Sequence, residues 1–117
     1  MRRTAPAAVR ASLRRGLALV RDGYAGRGLR GETVEWADRL ARGEPITDAK
    51  ASKMRAWFAR HGVATAEAAR RMRDPTSPAA VAWLLWGGDP AIPYRRTGWQ
   101  DPVSAWLRWL LGAPGDL

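Results

Sequence analysis

Ser77-Pro78-Ala79-Ala80-Val81-Ala82-Trp83-Leu84-Leu85-Trp86-Gly87-Gly88 carries no charge, and from Ala79 to Trp86 it is apolar on every side of a helix. A helix with no polar face must be surrounded by other elements. Ser77 can cap it. Pro78 falls in the first turn, where its missing N–H leaves nothing unsatisfied. Gly87-Gly88 ends it. The run is far short of the ~20 apolar residues a membrane span needs, and no window of the chain reaches that length. The segment is therefore a buried centrepiece, and the rest of the chain must supply amphipathic helices to cover it.

Working toward the N-terminus, residues 48–61 form a helix capped by Thr47 and stopped by Gly62, with Met54, Trp57, Phe58 and His61 on its apolar stripe. Residues 33–42 form another, with Thr33 as cap, Gly43 as stop and Pro45 barring continuation. Its core candidates are Val34, Trp36, Ala37, Leu40 and Ala41. Residues 23–31 hold four glycines with Arg27 and Arg30 and read as a loop, since glycine costs a helix about 1 kcal/mol each. Residues 7–22 form the first helix: Val9, Leu13, Leu17 and Val20 recur at helical spacing, and Gly23 ends it. Toward the C-terminus, residues 66–73 form a short alanine-rich helix. Residues 89–100 are irregular. A last helix starts at Asp101-Pro102 with Val103, Trp106, Leu107 and Leu110 on one stripe. No alternating strand pattern and no Asn-Gly hairpin occur. The expectation is an all-α, compact bundle of five or six short helices in a single domain. Its parts are a basic tail at 1–6, a helical core at 7–90, and an irregular segment plus helix at 91–117.

The 117 residues include no cysteine and one histidine, His61. Disulfides, thiolate nucleophiles, Cys-ligated metals and His-rich metal sites are excluded. No carboxylate pair has catalytic spacing, and His61 has no nucleophile or oxyanion site beside it. The expectation is a protein that is not an enzyme and needs no cofactor. The N-terminus has arginines but no apolar run, so it is no secretory signal, and its amphipathic character reads as a first core helix rather than a transit peptide. A host-cell cytoplasmic or virion location follows.

Lys plus Arg is 20 against 11 Asp plus Glu, a net +9, and only Lys50 and Lys53 are lysine. Arginine in place of lysine accompanies GC-rich coding. Net charge is a separate matter, because a positive field attracts polyanions whatever its origin. The charge is segregated: +7 over residues 1–31, −3 over 32–48, +6 over 49–73 and −1 over 74–117. Five of the seven tryptophans lie in the last of these segments. One side of the molecule suits a polyanion and another suits packing.

Three groups of residues are candidate sites. Arg10, Arg14, Arg15 and Arg21 form a basic stripe on the first helix, either a solvated face or a phosphate contact. Arg27 and Arg30 stand in the glycine-rich loop. It has no P-loop pattern and no preceding strand, so it reads as a flexible connector or a simple phosphate loop. The helices at 33–42 and 48–61 make a helix–turn–helix-like pair, with Lys50, Lys53 and Arg60 on the second. Its turn is longer than the usual three or four residues, and ordinary packing with a charged outer face is the other reading. Trp57, Trp83 and Trp86 belong to a core. Trp99 and Trp109 lie outside the apolar stripes, and with Trp106 they are candidate anchors for a partner interface.

Two stretches resemble a known kind of protein. Lys53-Met54-Arg55-Ala56-Trp57-Phe58-Ala59-Arg60-His61 and Val81-Ala82-Trp83-Leu84-Leu85-Trp86-Gly87-Gly88-Asp89 are similar to a small helical domain associated with bacteriophage proteins. Val9-Arg10-Ala11-Ser12-Leu13-Arg14-Arg15-Gly16-Leu17 resembles that domain's opening segment. Ala37-Asp38-Arg39-Leu40-Ala41-Arg42-Gly43 resembles a later helix, with Asp38 where arginine is usual. The likeness spans residues 8–90. It implies a phage or prophage setting and supplies no catalytic residues.

The leading expectation is a small basic protein that binds nucleic acid, DNA before RNA, through backbone phosphates. Its contacts would be Arg10, Arg14, Arg15, Arg21, Arg27, Arg30, Lys50, Lys53 and Arg60. The alternatives are a virion or assembly protein, as a homo-oligomer or part of a larger assembly, and a phage-encoded inhibitor docking on an acidic protein surface. No membrane contact is expected.

Overall fold

The structure is a computed structural model, and it describes residues 3–61 and 73–88. Among these residues there are four helices and no strand: α1 (Ala7–Arg21), α2 (Gly31–Ala41), α3 (Asp48–His61) and α4 (Pro78–Leu85). The helices expected at 66–73 and 101–111 fall on residues outside the described ones, apart from Arg73, which lies in a turn. So do Trp99, Trp106 and Trp109, the expected interface anchors. No helix among the described residues is long and apolar enough to cross a membrane.

α4 is the centrepiece. Ala80, Val81, Trp83, Leu84 and Leu85 are buried, and Ser77 caps the helix by accepting a hydrogen bond from the Ala80 N–H at 3.1 Å. Val81 and Leu85 join Val9 and Leu13 of α1, Ala37 and Leu40 of α2, and Ala51 and Met54 of α3 in one cluster. Each buried Val, Leu or Met side chain contributes about 1.5–3 kcal/mol, and each alanine less. A second, aromatic cluster centres on Trp57 and Trp83, with Phe58 and Trp86 against it.

Three helices end the same way. Gly23, Gly43 and Gly87 take φ of +92°, +87° and +91°, a left-handed conformation that glycine adopts without a Cβ penalty. Each closes a paired cap. After α1, for example, the Gly23 N–H donates to Val20 O at 3.0 Å and the Tyr24 N–H to Leu19 O at 3.1 Å.

The first helix is rotated from its expected stripe. Val9, Ser12, Leu13 and Gly16 are its buried residues, while Leu17 and Val20 are only partly covered. Gly16 is the cause. A Cβ there would stand 3.0 Å from Leu84 Cβ and 3.1 Å from the Leu85 backbone nitrogen, so α4 approaches α1 at a point with no side chain. Gly16→Val is expected to destabilise the fold by about 1–3 kcal/mol through overpacking. Urea denaturation reads this, and an unchanged midpoint would mean the two helices can part freely.

One local expectation is corrected. Thr33 does not cap α2. The helix starts at Gly31 behind Arg30 with no side-chain cap, and Thr33 is buried in its first turn. Within the basic tail, Ala5 is in the core, and Arg3 O accepts a hydrogen bond from the Ile46 N–H at 2.9 Å. Thr47 does cap α3, accepting from the Lys50 N–H at 3.1 Å.

Candidate nucleic-acid interface

On α3, Lys50, Lys53, Ala56, Trp57 and Arg60 fall at helical spacings on one face. On α4, Pro78, Val81, Ala82 and Trp86 do the same. These two faces, the loop at 26–30 and the first turn of α2 enclose a cavity of about 590 Å³. Among the described residues, five cationic side chains line it: Arg27, Arg30, Lys50, Lys53 and Arg60. One carboxylate does, Glu32, and its Oε1 accepts from Lys53 Nζ at 3.3 Å. The floor is apolar, made by Leu29, Trp57, Val81 and Trp86.

The glycine-rich loop is seated, not a free connector. A Cβ at Gly26 would lie 2.8 Å from Pro78 Cβ, so the loop passes the start of α4 closer than any other residue permits. The Leu29 N–H closes a turn onto Gly26 O at 3.1 Å. This contact carries Arg27 and Arg30, both exposed, to the rim of the cleft. The first turn of α2, which has no side-chain cap, adds the positive end of its dipole.

Lys50 departs most from expectation. It was expected on a solvated face, yet it is 5% exposed. Its Nζ sits 3.9 Å from the Trp86 ring centroid and 5.8 Å from that of Trp36. Trp86 is itself stacked on Trp57, at 5.2 Å between centroids and 11° between planes. The indole faces compensate part of the lost hydration through cation–π attraction. No carboxylate among the described residues stands within ion-pair distance of Lys50, and Glu32, whose charge acts on it, is engaged by Lys53.

Burial consequently pushes the Lys50 pKa down to about 8, against a weaker upward pull from Glu32; Lys53 pushes the same way as burial. The unfolded chain holds this proton up to about pH 10.5, so between pH 8 and 10.5 it binds more protons than the folded one. Stability therefore rises with pH through that window, by an amount on the order of 2–3 kcal/mol. Thermal melts at pH 7 and pH 9.5 test this. Wild type should gain stability at the higher pH relative to Lys50→Met, and parallel curves would contradict it.

The α1 arginines divide. Arg14 Nη2 donates to Ala41 O at 3.1 Å, satisfying a carbonyl in the last turn of α2. Arg10 is half-buried beside Gly43, its Nε out of solvent and without a hydrogen-bond partner. Both are turned toward the negative end of α2, which qualifies the expectation that they serve phosphate alone. Arg15 and Arg21 are exposed. The helix–turn–helix reading is corrected at Lys50: that residue, in the first turn of α3, points into the protein rather than out toward a groove, while Ser52, Lys53 and Arg60 stay exposed. The His61 side chain lies outside those described.

The residues missed by sequence reasoning are Trp57 and Trp86 as walls of a site, together with Gly26. The signal within α3 was available, because Lys50, Lys53, Trp57 and Arg60 share one face. The partner face on α4 was not, since no sequence spacing relates two separate helices. In comparisons with protein-family models, curated proteins and solved structures, nothing matches this chain. The likeness to a phage-associated domain therefore rests on the quoted residue patterns.

Proposed function

We propose that this chain is a non-catalytic nucleic-acid-binding protein that engages backbone phosphates at the cationic cleft. Arg27, Arg30, Lys53 and Arg60 are the contacts at its rim, and Arg15 and Arg21 on α1 extend the field. The observation that supports this reading is the convergence of four exposed cations on one concavity against a single carboxylate among the described residues, already paired with Lys53. Arginine offers phosphate a planar, two-pronged donor, and it is the principal cation here. Among the described residues that line the cleft, Glu32 is the one acid, and it is engaged by Lys53.

The test is fluorescence anisotropy with a labelled duplex DNA over a salt series. Four rim contacts predict that log K falls with log salt at a slope of about −3 to −4, from roughly 0.9 per phosphate neutralised. Absence of binding to duplex at low salt would end the proposal. A pull-down with and without nuclease separates it from an acidic protein partner, whose capture survives the treatment.

A further inference from the structure

The cleft contains more than phosphate-backbone contact uses. A duplex lying across its mouth touches Arg27, Arg30, Lys53 and Arg60, all exposed. It does not reach Lys50, which lines the same cavity but is 5% exposed and seated on the Trp86 ring. A cation at that depth without a carboxylate beside it is costly, and aromatic faces return only part of the lost hydration. Such a group is retained at a net loss unless an anion arrives to pair with it. The first turn of α2, at Glu32 and Thr33, lines the same cavity and brings the positive end of that helix's dipole to it.

The geometry points to a pocket for a terminal phosphomonoester of a nucleotide, with Lys50 as its buried anchor, Arg27 and Arg30 closing over it from the loop, and the apolar floor at Val81 and Trp86 taking the nucleoside. This deepens the nucleic-acid reading and rests on it for the larger ligand. Two features favour a terminal group over an internal one. An internal diester is flanked by sugar on both sides and carries one charge, so it is less suited to reach and neutralise a recessed cation such as Lys50. A monoester is free on one side, carries between one and two negative charges near neutral pH, and presents three acceptor oxygens. The cavity volume of about 590 Å³ suits one nucleotide and excludes a duplex.

The chemistry is shared by a strand terminus and a free mononucleotide, and the test distinguishes them. Binding of the full chain is measured for two single-stranded DNA oligonucleotides of one sequence, one with a 5′-phosphate and one with a 5′-hydroxyl, and separately for AMP and adenosine. The expected result is at least about tenfold tighter binding of the phosphorylated oligonucleotide, with AMP binding and adenosine not. If AMP binds but the two oligonucleotides do not differ, the pocket serves the free nucleotide. If the oligonucleotides differ and AMP fails, it serves a strand end. Lys50→Met should abolish the phosphate preference while leaving the salt-dependent duplex affinity in place. Arg27→Gln, at an exposed position that does not endanger folding, should weaken it. Equal affinity for both oligonucleotides together with no AMP binding overturns the inference, even where duplex binding is present. Loss of duplex binding with AMP binding intact overturns the backbone reading alone.

Discussion

Substituting glutamine for Arg27, Arg30 and Arg60 together is expected to weaken duplex DNA binding by about 10²–10³-fold at 0.1 M salt, and glutamate to weaken it further. Each phosphate contact contributes nearly one decade of affinity between 1 M and 0.1 M salt, so three lost contacts account for nearly three decades. The salt slope should shrink by about three in the same experiment. The effect falls on binding because the three side chains are exposed and form no ion pair among the described residues. Circular dichroism melts should therefore match wild type within about half a kcal/mol, as for ordinary surface changes. The control is the pair Arg15→Gln and Arg21→Gln on α1. These two exposed residues lie outside the cleft, and their removal should cost less per charge. If the α1 pair costs as much per charge as the cleft triple, the concavity has no special role and the protein binds through its overall field.

The cleft and the α1 stripe differ in tertiary placement, which sequence spacing alone does not encode. Helix ends are legible in sequence, because their chemistry is local: Gly23, Gly43 and Gly87 are the stops that a left-handed residue demands, and Thr47 and Ser77 are caps whose partners lie three residues on. Thr33 misled because a cap is defined by where the helix begins, and α2 begins at Gly31. The face of α1 was displaced by one tertiary contact. Hydropathy scores Gly16 as unremarkable, yet its missing side chain is what lets Leu84 and Leu85 approach.

The site was half legible for a similar reason. Arg27, Arg30, Lys53 and Arg60 were singled out by charge, and the fold does place them around one cavity. Charge alone places Lys50 with them, as another phosphate contact on the outer face of its helix. Its burial depends on Trp86, thirty-six positions away, presenting a ring face to it. Composition held a hint in the abundance of tryptophan, since an indole is the side chain best able to host a cation out of water. The pairing itself is a property of how α3 and α4 meet.

The tryptophan cluster behind that pairing predicts the largest change in stability. Trp83→Ala is expected to destabilise the protein by about 3–5 kcal/mol, the range for deleting a large buried aromatic side chain. Trp83 is 2% exposed. Its ring meets Phe58 edge-on at 5.1 Å and Trp57 at 6.0 Å, so truncation removes two aromatic contacts together with the apolar burial. The cavity cannot close by collapse from the other side, because there the neighbour is Gly88, where an added methyl would overlap the indole. That glycine has no side chain to move into the gap. A loss of this size is a large share of the roughly 5–15 kcal/mol by which domains are stable, so partial unfolding at ambient temperature is expected. Urea denaturation measures it, with Trp83→Phe keeping an aromatic ring and losing less. The same substitution also reaches the cleft. Trp57 touches Trp83 on one side and stacks on Trp86, which bears Lys50, on another. At temperatures where Trp83→Ala is still folded, its phosphate preference should therefore fall while its duplex salt slope holds. A variant that loses stability but keeps full preference for the phosphorylated oligonucleotide would show that Trp86 holds Lys50 without support from the cluster.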